Sequence, residues 1–76
     1  MARRIIKGVL YDTETSTLIY FDEDKRRSYY VTPKNKYFVV FATGEIQVKT
    51  TDSIKELLGE RDIDKYIELF GKPEEA

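Results

Sequence analysis

The sequence contains neither cysteine nor histidine. Without cysteine there is no disulfide, thiolate nucleophile or soft metal ligand, so packing and hydrogen bonding alone must hold the core, and a reducing compartment fits best. Without histidine, the chain lacks the usual general base near neutral pH and the commonest transition-metal ligand. Because Ser-His and Cys-His nucleophile arrangements are also excluded, we expect a protein that is not an enzyme and carries no cofactor.

Long apolar runs are also missing. No stretch approaches the roughly 18 to 20 apolar residues that span a bilayer, and the basic N-terminus lacks the apolar run of a signal peptide. We therefore expect a cytoplasmic protein without membrane contact. With 76 residues and a net charge of −1, the chain is expected to form a single domain over residues 1–76, and its total charge suggests neither a basic DNA coat nor an acidic DNA mimic.

The charge alternates in blocks along the chain. Residues 1–8 and 25–50 are basic, whereas residues 9–24 and 51–76 are acidic. A folded sheet either brings the basic blocks together or pairs them with the acidic ones, and the sequence leaves this choice open.

Hydrophobic periodicity predicts an α+β fold, in which an antiparallel meander of four to five strands precedes two short helices packed on one sheet face. The predicted strand over residues 36–42 contains the most apolar run of the chain, and we expect it to be buried on at least part of both faces. Pro33 and Asn35 predict a type I or II turn, with Asn35 at or near the position that tolerates left-handed geometry. The predicted strands cover residues 4–11, 17–21, 28–32, 36–42 and 45–50.

Two short apolar stripes with helical spacing follow the last strand. Asp52 or Ser53 is expected to cap the first helix, and Gly59 to end it. Asp62 is expected to cap the second helix, and Gly71 to end it. Neither helix is long enough to be stable alone, so both depend on packing against the sheet. The predicted helices cover residues 53–58 and 62–70, and residues 72–76 are expected to fray.

Two acidic segments have the residue types of a hard-cation site, but each has a simpler explanation. Asp12 and Glu14 lie two residues apart, yet Asp12 starts a polar segment that favours an Asx turn. Residues 22–24 lack the glycine and the distal glutamate of an EF-hand and precede three bases, which favours a self-neutralising loop. We therefore expect no metal site.

The candidate partner-binding surface is the basic, tyrosine-rich stretch from Lys25 to Tyr37, because Tyr and Arg dominate interface energetics. Residues 34–41 also partly match the aromatic RNA-binding strand of RRM domains, although both glycine-type positions fail. The matching residues are Lys34, Phe38, Val39 and Phe41. Alternatively, the aromatics form the core and the bases its solvated rim. The candidate partner-binding residues are Lys25, Arg26, Arg27, Tyr29, Tyr30, Lys34, Lys36 and Tyr37.

Three segments carry a recognisable pattern. Residues 7–15 contain Tyr-Asp-Thr-Glu-Thr, residues 30–38 contain Tyr-Val-Thr-Pro-Lys-Asn-Lys-Tyr-Phe, and residues 62–71 contain Asp-Ile-Asp-Lys-Tyr followed by Phe-Gly. They resemble the opening, the Tyr-x-Thr-Pro-x-Gly-x-Tyr-Phe turn and the closing helix of a family of small uncharacterised proteins from phages and integrative elements of Gram-positive bacteria. The chain departs from that family at Asn35, where Gly is usual, and at Ala42 to Glu45, which replace a glycine-rich insertion.

The resemblance implies residence on a mobile genetic element, where compact proteins without catalytic residues often act on host or rival machinery, anti-CRISPR inhibitors among them. Our first hypothesis is therefore a non-enzymatic protein that binds a protein of the host or of a defence system. The second is a nucleic-acid-binding module that uses the sheet over residues 29–41, with strongly salt-dependent binding. The third is a self-associating structural domain, which leaves monomer and homodimer both open.

Overall fold

The computed structural model describes residues 2–74, within which six strands precede two helices. The first two strands form a hairpin, and the other four form an antiparallel meander in sequence order. The α+β fold with a meander and two following helices is thereby confirmed. Residues 75 and 76 of the expected frayed tail lie outside the described residues. The elements are β1 (Arg3–Ile6), β2 (Val9–Asp12), β3 (Thr17–Asp22), β4 (Arg27–Val31), β5 (Tyr37–Val40), β6 (Ile46–Lys49), α1 (Thr51–Arg61) and α2 (Ile63–Phe70).

The single strand predicted over residues 4–11 is wrong, because a two-residue turn divides it. Lys7 and Gly8 have φ values of 51° and 79°, and Ile6 pairs with Val9 on either side of them. Positive φ at both central residues is the requirement of a type I′ hairpin turn, whose twist matches that of paired strands. The N-terminal segment therefore folds back on itself as the hairpin β1–β2.

The turn between β4 and β5 confirms the prediction for Pro33 and Asn35. The Asn35 N–H donates to the Thr32 carbonyl oxygen at 2.9 Å, and Asn35 has a φ of 63°. Asparagine tolerates this left-handed geometry better than most residues, and glycine tolerates it best.

Helix α1 is longer than predicted at both ends. Thr50 caps it, because its Oγ1 accepts from the Ser53 N–H at 3.2 Å, so the expected cap at Asp52 or Ser53 is wrong. The helix also passes through Gly59 and ends at Arg61. A glycine inside a helix costs only about 1 kcal/mol relative to alanine, which the packing of the neighbouring Leu58 offsets.

Helix α2 begins and ends as predicted. Asp62 caps it, since its Oδ1 accepts from the Lys65 N–H at 3.1 Å. Gly71 follows the last turn with a φ of 88°, and its N–H donates to the Ile67 carbonyl oxygen at 2.9 Å. Within residues 2–74, neither helix has the length and apolar character needed to cross a membrane.

The meander separates two apolar clusters. On one face, Tyr37 and Val39 of β5 pack with Ile54 and Leu58 of α1, which confirms that the helices cover one sheet face. On the other face, Phe38 packs with residues of the hairpin and of β6. Alternate side chains of β5 therefore enter opposite clusters, and the strand is buried on both faces as predicted. The second cluster consists of Tyr11, Phe38 and Ile46, flanked by Ala2, Ile6, Tyr30 and Val40.

Candidate binding surface

Two of the three tyrosines predicted to bind a partner lie in the core. Tyr29 and Tyr37 are each 7% exposed and belong to the cluster beneath the helices, so they have no surface to offer a partner. Burial also raises the pKa of the Tyr37 hydroxyl. Tyr30 is half-buried on the other face, where its ring stacks on Phe38 with centroids 5.3 Å apart. The predicted aromatic surface is therefore not formed.

The basic candidates do not form one patch. Lys25 and Arg26 are exposed in the turn between β3 and β4, whereas Lys34 and Lys36 are exposed in the turn between β4 and β5. These turns lie at opposite ends of β4, which at about 3.3 Å per residue separates them by on the order of 15 Å. Arg27 is half-buried, with its Cζ 4.9 Å from the centroid of the Phe41 ring, a cation–π contact within the protein.

The acidic segments use their carboxylates locally. The Asp12 Oδ1 accepts from the Glu14 N–H at 2.9 Å, which confirms the predicted Asx turn. The Asp22 Oδ1 accepts from the N–H groups of Asp24 and Lys25 at 3.1 and 3.3 Å. Among residues 2–74, no group of three or more acidic side chains is placed to hold a metal ion.

Exposed aliphatic side chains gather on the hairpin instead. Ile5 is 69% exposed and Leu10 is 51% exposed, and the two are cross-strand partners. Directly opposed residues project on the same side of a hairpin, so these side chains form one outward patch. Arg3 and Arg4 line a depression beside them of about 500 Å³.

A groove lies between the hairpin and the turn that joins β4 to β5, and we call it the tip groove. Its volume is about 400 Å³, and its lining comes from Gly8–Leu10 on one side and from Thr32, Pro33, Lys34 and Lys36 on the other. Leu10 borders both the tip groove and the depression beside Arg3. The two form a continuous area, which with Lys7 of the adjoining turn we call the hairpin surface; its other residues are Arg3, Arg4, Ile5, Val9, Leu10, Pro33, Lys34 and Lys36.

Contacts on its inner side hold the hairpin in place. Tyr11 is buried, and its ring meets Phe38 edge-on with centroids 5.5 Å apart. Arg4 also donates from Nη1 to the Ile46 carbonyl oxygen at 3.4 Å. Because successive residues of a strand point to opposite sides, the burial of Tyr11 directs Leu10 outward.

The cations of the hairpin surface make no ion pair with the other described residues. Within the part of the chain that the structure describes, the ion pair shorter than 4.0 Å joins Lys65 and Glu68, at 3.1 Å on α2. Among residues 2–74, no carboxylate oxygen lies within that distance of any of the five arginine and lysine side chains of the hairpin surface. Arg4 is already hydrogen-bonded to the Ile46 carbonyl, but no carboxylate of residues 2–74 neutralises these cations, so the surface combines apolar area with positive charge.

Sequence reasoning missed the aliphatic residues of this surface. Ile5, Val9 and Leu10 fall within the strand predicted over residues 4–11, where alternation does not distinguish a buried side chain from an exposed one. Gly8 is the residue in this segment that indicates the hairpin turn, because a glycine inside an apparent strand marks a bulge or a bend.

Comparison with known proteins adds no relative. No protein-family model, curated protein or solved structure matches the chain. The resemblance to proteins of mobile genetic elements therefore rests on the three sequence segments alone. The chemistry of the hairpin surface is what bears on function.

Proposed function

We propose that this chain is a non-enzymatic binding protein whose hairpin surface contacts a partner protein. The observation that carries the proposal is the exposed aliphatic pair of Ile5 and Leu10, bordered by cations that have no ion pair within residues 2–74. Single exposed apolar residues are ordinary, but a contiguous apolar patch with a polar rim is typical of an interaction site.

The chemistry of the exposed apolar groups favours protein over nucleic acid. Binding of single-stranded nucleic acid relies on aromatic side chains that stack with bases. Tyr29 and Tyr37 are buried, and Tyr30 already stacks on Phe38. The apolar side chains of the hairpin surface are aliphatic, and such side chains gain free energy mainly by excluding water against another apolar surface.

The resemblance to proteins of mobile genetic elements directs the proposal to a class of partner. We infer that the partner belongs to the host or to a defence system, as for an anti-CRISPR inhibitor, and that the site of action is the cytoplasm. A small protein without catalytic residues inhibits such a partner by covering its active site or its binding site. The absence of cysteine supports an intracellular, reducing environment.

Photo-crosslinking in expressing cells tests this function. A photoreactive amino acid at Ile5 is expected to form an adduct with another protein. The same group at Ile63, which is 59% exposed on α2, is the matched control and is expected to form none. A nuclease-sensitive adduct at Ile5 would support nucleic-acid binding instead. Equal adducts at both positions, or none at Ile5, would contradict the proposal.

Strand β3 favours self-association as a second candidate function. It is an edge strand of the meander, and Thr17 to Phe21 includes none of the charged residues with which natural edges prevent pairing. Leu18 and Phe21 are exposed on it, although a bulge between Leu18 and Tyr20 disturbs its edge. Light scattering over a concentration series tests this candidate, and a dimer that Leu18→Lys dissociates would support it.

A further inference from the structure

We propose that the tip groove receives an extended, acidic segment of the partner that carries a branched aliphatic side chain. This inference rests on the proposed function, because it names the chemistry of the partner at the same surface. Three features of the groove support it: a free strand edge, an apolar lining and an excess of lysine.

The free edge belongs to β2. The Thr13 N–H donates to the Ala2 carbonyl oxygen at 3.0 Å, which extends the β1–β2 pairing by one bonded pair. Bonded and non-bonded pairs alternate in an antiparallel ladder, so Ile6 and Val9 are bonded to each other, whereas the backbone groups of Ile5 and Leu10 point away from each other.

The N–H and C=O of Leu10 therefore lie on the outer edge of β2, where the two-stranded sheet ends. The tip groove opens on this side, since its hairpin lining comes from Gly8–Leu10 and not from β1. Unpaired donors and acceptors at a sheet edge bind an extended peptide as an added strand. This feature selects extended backbone as the occupant.

The lining supplies the apolar contact. Val9 and Leu10 lie on one side of the groove and Pro33 on the other, and its volume is about 400 Å³. Sites that bury a small ligand have volumes of roughly 300–1,000 Å³. A leucine, isoleucine or valine of the added strand would displace water from Leu10 and Pro33, since Val9 projects to the opposite side of β2 from Leu10.

The charge selects an acidic segment. Lys34 and Lys36 line the groove, and Lys7 lies in the turn next to Gly8. The backbone of Lys36 is fixed by bonds in both directions with Thr32, so its ammonium group extends from a defined position. No carboxylate among residues 2–74 lines the groove. Like charges repel a basic segment, and complementary charge raises both the specificity and the rate of association.

A random-peptide display selection against the purified full chain tests the inference, with a library of about 12 residues per peptide. The enriched peptides are expected to contain several Asp or Glu residues beside Leu, Ile or Val. Labelled copies of these peptides, titrated by fluorescence anisotropy, then measure affinity for the protein and its variants.

Charge reversal at the two ends of β4 provides a matched comparison. Lys34→Glu with Lys36→Glu is expected to weaken peptide binding about tenfold or more, whereas Lys25→Glu with Arg26→Glu is expected to change it by less than about twofold. Leu10→Asp is expected to abolish binding. All five side chains are exposed in the free protein, so these variants are expected to fold, and circular dichroism checks this.

The outcomes separate this inference from the proposed function. No enrichment, enrichment of basic or purely aromatic peptides, or equal losses from the two charge reversals would overturn the acidic-segment proposal. A single-stranded oligonucleotide that binds the groove more tightly than the selected peptides would also overturn it. A partner adduct at Ile5 that persists in the Lys34→Glu, Lys36→Glu variant would keep the binding function and reject the groove as its site. If the otherwise wild-type protein forms no adduct at Ile5, both the binding function and the acidic-segment proposal are rejected.

Discussion

Replacing Tyr11 by alanine is expected to release the hairpin from the meander without unfolding the rest of the protein. Tyr11 is 5% exposed and lies edge-on against Phe38, which is fully buried. The cluster beneath the helices contains neither residue, so its packing does not depend on this contact. A two-stranded hairpin is at most marginally stable in water when it is isolated.

The expected cost follows from the size of the buried ring. Truncating a buried aromatic side chain to alanine costs about 3–5 kcal/mol, of which an edge-on aromatic pair accounts for about 0.5–1.5 kcal/mol. A domain of this length has a total unfolding free energy of about 4–11 kcal/mol. The loss is therefore comparable with the stability of the whole molecule, and it must appear either as local release of the hairpin or as global unfolding.

Amide hydrogen exchange distinguishes these two results. The hydrogen-bonded amides of β1 and β2 are expected to exchange about a hundred- to several thousandfold faster in Tyr11→Ala, because each 1.4 kcal/mol corresponds to about a tenfold change. The amides of β4 and β5 are expected to change much less. Tyr11→Phe keeps the ring and is the matched control, with little change expected anywhere.

Equal acceleration of all amides in Tyr11→Ala would refute the separation of the hairpin from the rest of the core. Unchanged exchange in β1 and β2 would refute the role of the Tyr11–Phe38 contact. If the hairpin is released, partner binding through Ile5 and Leu10 is also expected to be lost, because both side chains depend on the hairpin for their position.

Three further predictions concern stability. Leu58→Ala is expected to lower the unfolding free energy by about 2–5 kcal/mol in urea denaturation, because Leu58 is fully buried. Leu57→Ala, at a half-buried position, is the control and is expected to cost less; equal losses of unfolding free energy in the two variants would contradict the packing. Asn35→Ala is expected to lower the unfolding free energy by roughly 1–2 kcal/mol because Asn35 has a positive φ, whereas Asn35→Gly is expected to be tolerated. Equal urea midpoints for the alanine and glycine variants would contradict the turn geometry. Burial raises the pKa of Tyr37, so its contribution is fully present below the unfolded pKa of about 10 and is lost as the pH rises through the folded pKa. Tyr37→Phe is expected to reduce the loss of stability as the pH rises above about 10, and an unchanged loss would contradict this.

The sequence by itself determined the features that depend on neighbouring residues. The cap at Asp62, the end of α2 at Gly71 and the left-handed Asn35 were each predictable, because one side chain or one φ preference within a few residues decides them. The same holds for the Asx turn at Asp12. The predictions for α1 were less accurate, because Thr50 competes with Asp52 and Ser53 as a cap and tertiary packing carries the helix past Gly59.

Only the tertiary structure decided which residues form the surface. Tyr29 and Tyr30 are adjacent and chemically identical, yet Tyr29 is buried under the helices while Tyr30 lies on the opposite face, since strand pairing assigns alternate residues to opposite sides. Whether the basic residues meet depends on the strand order, and the meander places Lys25 and Lys34 at opposite ends of β4. The exposure of Ile5 and Leu10 depends on the hairpin turn at Gly8 and on Tyr11 packing against Phe38, which lies 27 residues further along the chain. Contacts between residues so distant in the sequence depend on the packing of the whole fold, and for that reason local patterns do not specify them.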